Sequence, residues 1–454
     1  MHTVLAASTR LDLSPTQQLF VVALCALTAF VSHLALAVFN DGVRPFLLDF
    51  VQGRTERSAT AAVSFGLSAG FIFGLGAPMA LASGVLNPWL LFLPTDILGL
   101  LAPRKWIAPL LGGGWGAVVV LGLGGANAVA HDLPVDFLTA MQQMSTPILF
   151  LFTLFPVLAI TRQFGRWPGA LAAVLELALV IMTMKLWPKI FAGSLAMAAG
   201  VLLLIAFAVR KDLLQRRREK DREHLQEPDR GQGRQAAEVG EDPVVSLFSA
   251  GALRLRRHLP LFMLLGAGIC VLAQTHIFGG GEATSFLIAK GQYGEAAQVD
   301  LYRAFGFIPL IATTALASGA YGIAGFTLVY PIGYLLPDPF LAAAVGAVVF
   351  ALEVLALSLI GRVLGRLPSV RDSSEHLRAA ITETLGLAIV FGSLLAAHVM
   401  GGGPAIFLVG GLYLLNEAMG RPVVRMAAAP AAVVVGGVLL NVLHWLDLFT
   451  PLKS

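Results

Sequence analysis

From Leu19 to Phe449 the chain returns again and again to apolar runs of roughly 16–22 residues. A helix needs roughly 20 such residues to cross a ~30 Å hydrocarbon layer. Lipid offers no water to backbone polar groups, so only helices and closed barrels span it. The runs lack the alternation of barrel strands. They predict an all-α, polytopic transmembrane helical bundle. Composition agrees, with 57% hydrophobic residues, 13% charged residues and a mean hydropathy of +0.79. The basic balance, with a pI near 9.2, comes from Arg and Lys in short loops between the runs. That is the positive-inside pattern of a membrane protein rather than a nucleic-acid surface. The 48 glycines suit close helix approach in lipid. Cys25 and Cys270 both lie within apolar runs and read as small core residues, not as a disulfide or metal pair. The run Leu19–Phe39 is too long for a signal-peptide core and reads as a first retained helix.

Residues 210–243 interrupt this pattern. Seven of their first thirteen residues are Arg or Lys, so the segment reads as a solvated cytoplasmic linker that begins as a helical extension. It separates an N-terminal half, 1–209, from a C-terminal half, 244–454. Predicted spans are 18–39, 60–82, 86–101, 106–126, 145–161, 168–184 and 189–209, then 259–278, 304–319, 321–336, 339–361, 379–399, 404–419 and 428–449. Segments 86–101 and 304–336 are broken by Pro and Gly and read as re-entrant or half-helices. The count is therefore about 12–14 segments. Ala80–Gly84 (ALASG) recurs letter for letter as Ala315–Gly319, and Phe39 and Phe278 precede Gly42 and Gly281. Two explanations stay open: related halves, or chance matches between apolar sequences. If every basic loop is cytoplasmic, each half crosses seven times and the repeat is inverted, as in alternating-access transporters.

Ionisable groups within membrane segments are costly and mark candidate sites. Asp96 and Thr95 follow Pro94, whose missing N–H loosens the helix and leaves polar groups for a cavity; a helix-cap Asp near Arg104 is the alternative. Glu353 lies amid apolar residues, where it needs a proton, a basic partner or a water-filled path. Glu176 has Lys185 near enough for a structural pair. Asn416 and Glu417 precede Gly420, Arg421 and Pro422, much as Asn40 and Asp41 precede Gly42, Arg44 and Pro45. Asn416 and Glu417 are taken as pathway candidates. Asn40, Asp41, Arg44 and Arg421 are taken as a gating or structural ion pair, with a plain helix cap as the competing explanation. The broken stretch 305–325 contributes Thr313, Thr314 and Ser318 to the pathway set; such hydroxyls also bond their own helix. His131, Asp132 and Asp136 read as a solvated turn rather than a metal site. Nucleotide-loop, zinc-protease, serine-hydrolase and C-x-x-C signatures are absent from the sequence. No enzyme activity, catalytic residue, metal or cofactor is expected.

Several longer runs resemble those of the YhfT family: Val38–Pro45 (VFNDGVRP), Trp89–Gly99 (WLLFLPTDILG), Gly306–Ala317 (GFIPLIATTALA), Leu415–Pro422 (LNEAMGRP) and Leu440–Trp445 (LNVLHW). The likeness extends from the first helix to Phe449 and is weakest in the linker. It implies a multi-pass protein of the bacterial inner membrane that acts as a transporter. It carries no settled substrate, mechanism or site residues.

The sequence thus predicts a secondary transporter of a small polar organic solute, coupled to protons or sodium. Asp96, Glu353 and Glu417 are its coupling or gating carboxylates. A phosphotransferase-type permease subunit working with separate carrier proteins is one alternative. A membrane-embedded enzyme acting on a lipid-linked substrate is another. The expected partners are the solute and the lipid bilayer, not nucleic acid; oligomerisation stays open.

Overall fold

The structure is a computed structural model and describes residues 13–40, 43–51, 53–187, 192–226, 243–301, 304, 315–316, 319–322 and 328–451. The first half runs α1 (Pro15–His33), β1 (Ala37–Val38), α2 (Arg44–Val51), α3 (Arg57–Phe71), α4 (Ala77–Ser83), α5 (Pro88–Leu101), α6 (Ile107–His131), α7 (Phe137–Met141), α8 (Ser145–Phe152), α9 (Phe155–Phe164), α10 (Arg166–Leu186) and α11 (Ala192–Gln226). The second runs α12 (Pro243–Arg257), α13 (Leu259–Gln274), α14 (Glu282–Ala289), α15 (293–301), β2 (Tyr321–Gly322), α16 (Tyr330–Leu335), α17 (Pro339–Arg366), α18 (Pro368–Ala418) and α19 (Arg425–Trp445). The chain is an all-α polytopic bundle. Among the described residues, eight helices are long and apolar enough to cross a membrane. A ninth arises if Ala250–Arg257 and α13, bent by 70°, form one span. Leu171, Leu177, Ile181 and Met184 leave an apolar face of α10 exposed, which suits lipid and not water.

Local sequence explains where elements start and turn. Ser14 accepts from the Gln17 amide at 3.3 Å, and the Gln17 side chain takes the Ser14 N–H at 2.9 Å. With Pro15 in the first turn, this capping box starts α1. Straight, the 51 residues of α18 would reach about 77 Å. Gly401 and Gly402 leave helical geometry, and a methyl at Gly410 would stand 3.8 Å from Leu394 Cδ2. That contact requires the chain to fold back, so α18 is a helical hairpin, with its arms near the predicted 379–399 and 404–419 spans. The predicted break in 86–101 is not a break: α5 is one 14-residue helix with Pro94 inside it. Proline leaves the Leu90 carbonyl without its helical donor, and the Trp115 indole N–H takes its place at 2.8 Å.

The two halves repeat the same packing. α1 and α13 end in non-glycine residues with positive φ, Ala35 at 54° and His276 at 59°. Each then continues as a short extended arm. The first arm accepts the Tyr321 N–H on Leu36 O at 2.8 Å; the second accepts the Leu86 N–H on Ile277 O at 2.8 Å. Both pairings are parallel. Each donor lies two residues after the glycine of an Ala-Leu-Ala-Ser-Gly segment, Gly84 (φ 68°) or Gly319 (φ 61°). Among the described residues of these segments, Ala80, Ala82, Ser83, Ala315 and Leu316 are buried.

Helix contacts match as well. A methyl on Gly112 would sit 2.3 Å from Cys25 O and 2.5 Å from Ala29 Cβ; one on Gly346 would sit 2.5 Å from both Gly266 O and Cys270 Cβ. A methyl on Gly99 would meet Ala29 O at 2.4 Å, and one on Gly333 would meet Cys270 O at 2.6 Å. These pairs equate Cys25 with Gly266 and Ala29 with Cys270, and Gly99 with Gly333 and Gly112 with Gly346. Thus α1, α5 and α6 pack as α13, α16 and α17 do.

Candidate functional site

Where the arms cross, backbone donors run past the end of the short pairing. A buried N–H must find an acceptor. In the first half Asp96, itself fully buried, supplies it. Its Oδ2 accepts the N–H groups of Phe39 at 2.5 Å and Asn40 at 3.0 Å; its Oδ1 accepts the Ser32 hydroxyl at 2.7 Å. The Asn40 side chain reaches on to donate to Ser68 Oγ at 2.8 Å. Asp96 therefore fastens α5 to the end of α1 and to the arm beyond it. Asn40 joins Asp96 in this centre. Ser32 and Ser68, which sequence reasoning passed over, complete it.

The second half solves the same problem differently. By the helix correspondence, Tyr330 stands where Asp96 stands, Ala273 replaces Ser32, and Gly280 replaces Phe39. The Gly280 N–H donates to the Tyr334 hydroxyl at 2.7 Å, and that hydroxyl donates to Asp300 Oδ2 at 2.8 Å. Asp300, on α15, is fully buried. Space forces the glycine: a methyl at Gly280 would come within 2.2 Å of Tyr330 Cδ2. Asp300 falls in the stretch expected to be a loop outside the membrane. Its signal was an acid in the apolar run AAQVDL, one turn before Ala304. Phe92 joins the two arms, with its ring 5.0 Å from Phe39 and 5.6 Å from Phe278.

Glu353 reaches this crossing from α17. Its carboxylate oxygens are buried and face the hydroxyl of Tyr321, the residue whose amide pairs with Leu36. No basic side chain among the described residues pairs with it. The Tyr321 ring is held between Phe262 and Phe350 at 5.3 and 5.0 Å. Asp96 and Glu353, distant in sequence, thus flank the two strands of one crossing. Glu176 has no such neighbour. Its carboxylate is buried against Gly200 and Pro156 with no hydrogen-bond partner among the described residues, so the structure does not pair it with Lys185.

The remaining candidates sit elsewhere. Thr95 turns its hydroxyl back to Phe92 O in its own helix at 2.7 Å. Asn416 closes the α18–α19 turn by giving to and taking from Val423, both at 2.9 Å. Glu417 is held by Arg421 at 2.8 Å and Arg425 at 3.0 Å on the surface of that turn. None of these is a partner of Asp96. Asp41, Thr313, Thr314 and Ser318 lie outside the described residues, as does the side chain of Arg44, which opens α2. Asp136 caps α7 through the Thr139 N–H at 3.0 Å. Among the described residues no three His, Cys, Asp or Glu side chains are placed to hold a metal.

No solved structure matches the chain. It is 38% identical over 447 residues to the uncharacterized protein YhfT of Escherichia coli (strain K12), covering 96% of this chain and 99% of that one. The profile of the YhfT family, described as a protein of unknown function, matches residues 17–449. With nearly its whole length matched on both counts, the chain belongs to the YhfT family.

Proposed function

We propose that the protein is a secondary transporter of a small polar organic solute across the bacterial inner membrane, driven by a proton or sodium gradient. The observation that carries this reading is the crossing: inside an apolar bundle, each extended arm pairs with a segment of the other half, next to a buried acid. Broken backbone within a membrane bundle supplies polar groups at depth, the arrangement by which transporters bind solutes between related repeats. Glu353 is the coupling group. It lies against one strand of the crossing with no basic partner among the described residues, placed to take up and release a cation as the repeats rock. Asp96 holds the first arm in register.

The test uses purified protein in proteoliposomes and a panel of radiolabelled polar metabolites, with an imposed proton or sodium gradient. At least one solute should accumulate, and only when the gradient is present. Glu353→Gln keeps size and hydrogen bonding and should retain solute exchange while losing accumulation. Accumulation by the Gln variant equal to wild type removes Glu353 from coupling. Absence of uptake and exchange across the whole panel counts against transport itself.

A further inference from the structure

A second site lies away from the crossing, where α9, α10 and α11 leave the apolar layer. A cavity of about 370 Å³ opens there, with Phe164, Pro168 and Phe207 as its apolar floor and Arg210, Lys211 and Arg218 as its cations. Within the floor the Phe164 and Phe207 rings meet edge to face at 5.6 Å. Residues 192–209 of α11 are apolar and uncharged, and Arg210 is the first charge after them. The cations therefore begin at the boundary of the hydrocarbon. From Lys211 to Arg218 they rise about 10 Å along the helix, a distance that spans the headgroup layer of roughly 5–8 Å on each side of a bilayer.

Asp212 is the only acid between Arg210 and Arg218. It is buried on another face of α11, where its carboxylate accepts the Ser369 N–H at 3.0 and 3.1 Å and caps α18. The helix thus turns its acid inward to α18 and Arg210, Lys211 and Arg218 toward the cavity. Beside the mouth, Trp167 is 88% exposed and Leu171 is exposed on the same helix. An exposed tryptophan at this level is an interfacial anchor, and the apolar surface below it continues into the face of α10 that suits acyl chains.

We propose that this cavity binds the phosphate of an anionic phospholipid headgroup, with the acyl chains lying along α10. Clustered cations at the end of a membrane helix attract anionic lipid in this way. The proposal does not depend on transport.

The full-length protein in a neutral detergent is titrated with short-chain phosphatidylglycerol, with short-chain phosphatidylcholine and with inorganic phosphate, and its melting temperature is followed. Phosphatidylglycerol should raise the melting temperature saturably, and the other two should not. The triple variant Arg210→Gln, Lys211→Gln, Arg218→Gln should weaken the response at least tenfold. An unchanged response in the variant overturns the proposal. A rise with inorganic phosphate equal to that with phosphatidylglycerol also overturns it, in favour of a free-anion site. If the triple variant does not fold, wild-type protein and Trp167→Phe are compared in vesicles containing brominated lipid. Brominated phosphatidylglycerol should quench the fluorescence contributed by Trp167 more than brominated phosphatidylcholine does, and added salt should abolish the difference. Equal quenching by the two lipids overturns the proposal.

Discussion

The arm after α1 and the arm after α13 follow the same backbone path but use different chemistry to secure it. In the first, one carboxylate receives two successive backbone N–H groups and a hydroxyl. In the second, a tyrosine hydroxyl stands between the backbone and the carboxylate of Asp300. The aromatic volume is exchanged as well. Phe39 projects from the first arm toward Phe92, whereas Gly280 leaves room for Tyr330 to project toward the second. The pair teaches that the path is what the two halves share, and that each half needs some acceptor at the same amide. Among the described contacts, Asp96 is a direct clasp that receives Phe39, Asn40 and Ser32; Asp300 is a relayed one that reaches the Gly280 amide through Tyr334.

That contrast orders the effects of mutation. Asp96→Ala removes the carboxylate that Phe39, Asn40 and Ser32 all bond, and losing a buried hydrogen-bond acceptor costs roughly 1–3 kcal/mol. We expect a loss of about 4 kcal/mol, read as the largest fall in melting temperature in detergent and as reduced yield of monodisperse protein. A fall smaller than that of Tyr334→Phe would mean the first clasp is not the stronger one. Gly280→Ala comes second. Its methyl would overlap the Tyr330 ring, and overpacking a filled site costs about 3 kcal/mol. The double variant Gly280→Ala, Tyr330→Ala should recover part of the loss, since the ring is the nearest obstacle, ahead of Asp300 Oδ2 at 2.6 Å; no recovery would break the exchange of volume between arm and helix. Tyr334→Phe is smallest, about 2 kcal/mol, because it removes one hydroxyl that bonds the Gly280 N–H and the Asp300 carboxylate. Hydrogen exchange at Gly280 should speed up while that at Phe39 stays as in wild type. Equal acceleration at both amides would show that the arms open as one unit rather than separately.

Parts of this centre are legible in the sequence alone. Asp96 stood out because an acid after an intrahelical proline is expensive in lipid, and Glu353 because nothing around it is polar. The repeated Ala-Leu-Ala-Ser-Gly marked the two segments that pair across the crossing. Asp300 is harder to read: the short apolar run around it signals an inward acid, but the charges on either side read as a loop. Asp212 misled in the same way: in a basic, solvated linker it is the buried cap of α18. Glu417 had the composition of a gate, but its two arginines hold it at a surface turn, where ion pairs are well solvated.

The sequence by itself determined that this chain is a bundle of apolar helices, because hydrocarbon permits few other ways to satisfy a backbone, and the length of each run limits how it can cross. Pro, Gly and Ser set several of the helix ends through local geometry alone. Only the tertiary structure decided which polar groups meet. Ser32 and Asp96, or Gly280, Tyr334 and Asp300, come from separate helices, and apolar periodicity gives the face of a helix without naming its neighbour. The matching contacts of the two halves also emerge only from packing. Cys25 and Gly266 share no letter, and the matching Gly112 and Gly346 are two glycines among 48; what relates the two contacts is a distance of backbone approach, which exists only once the helices have packed.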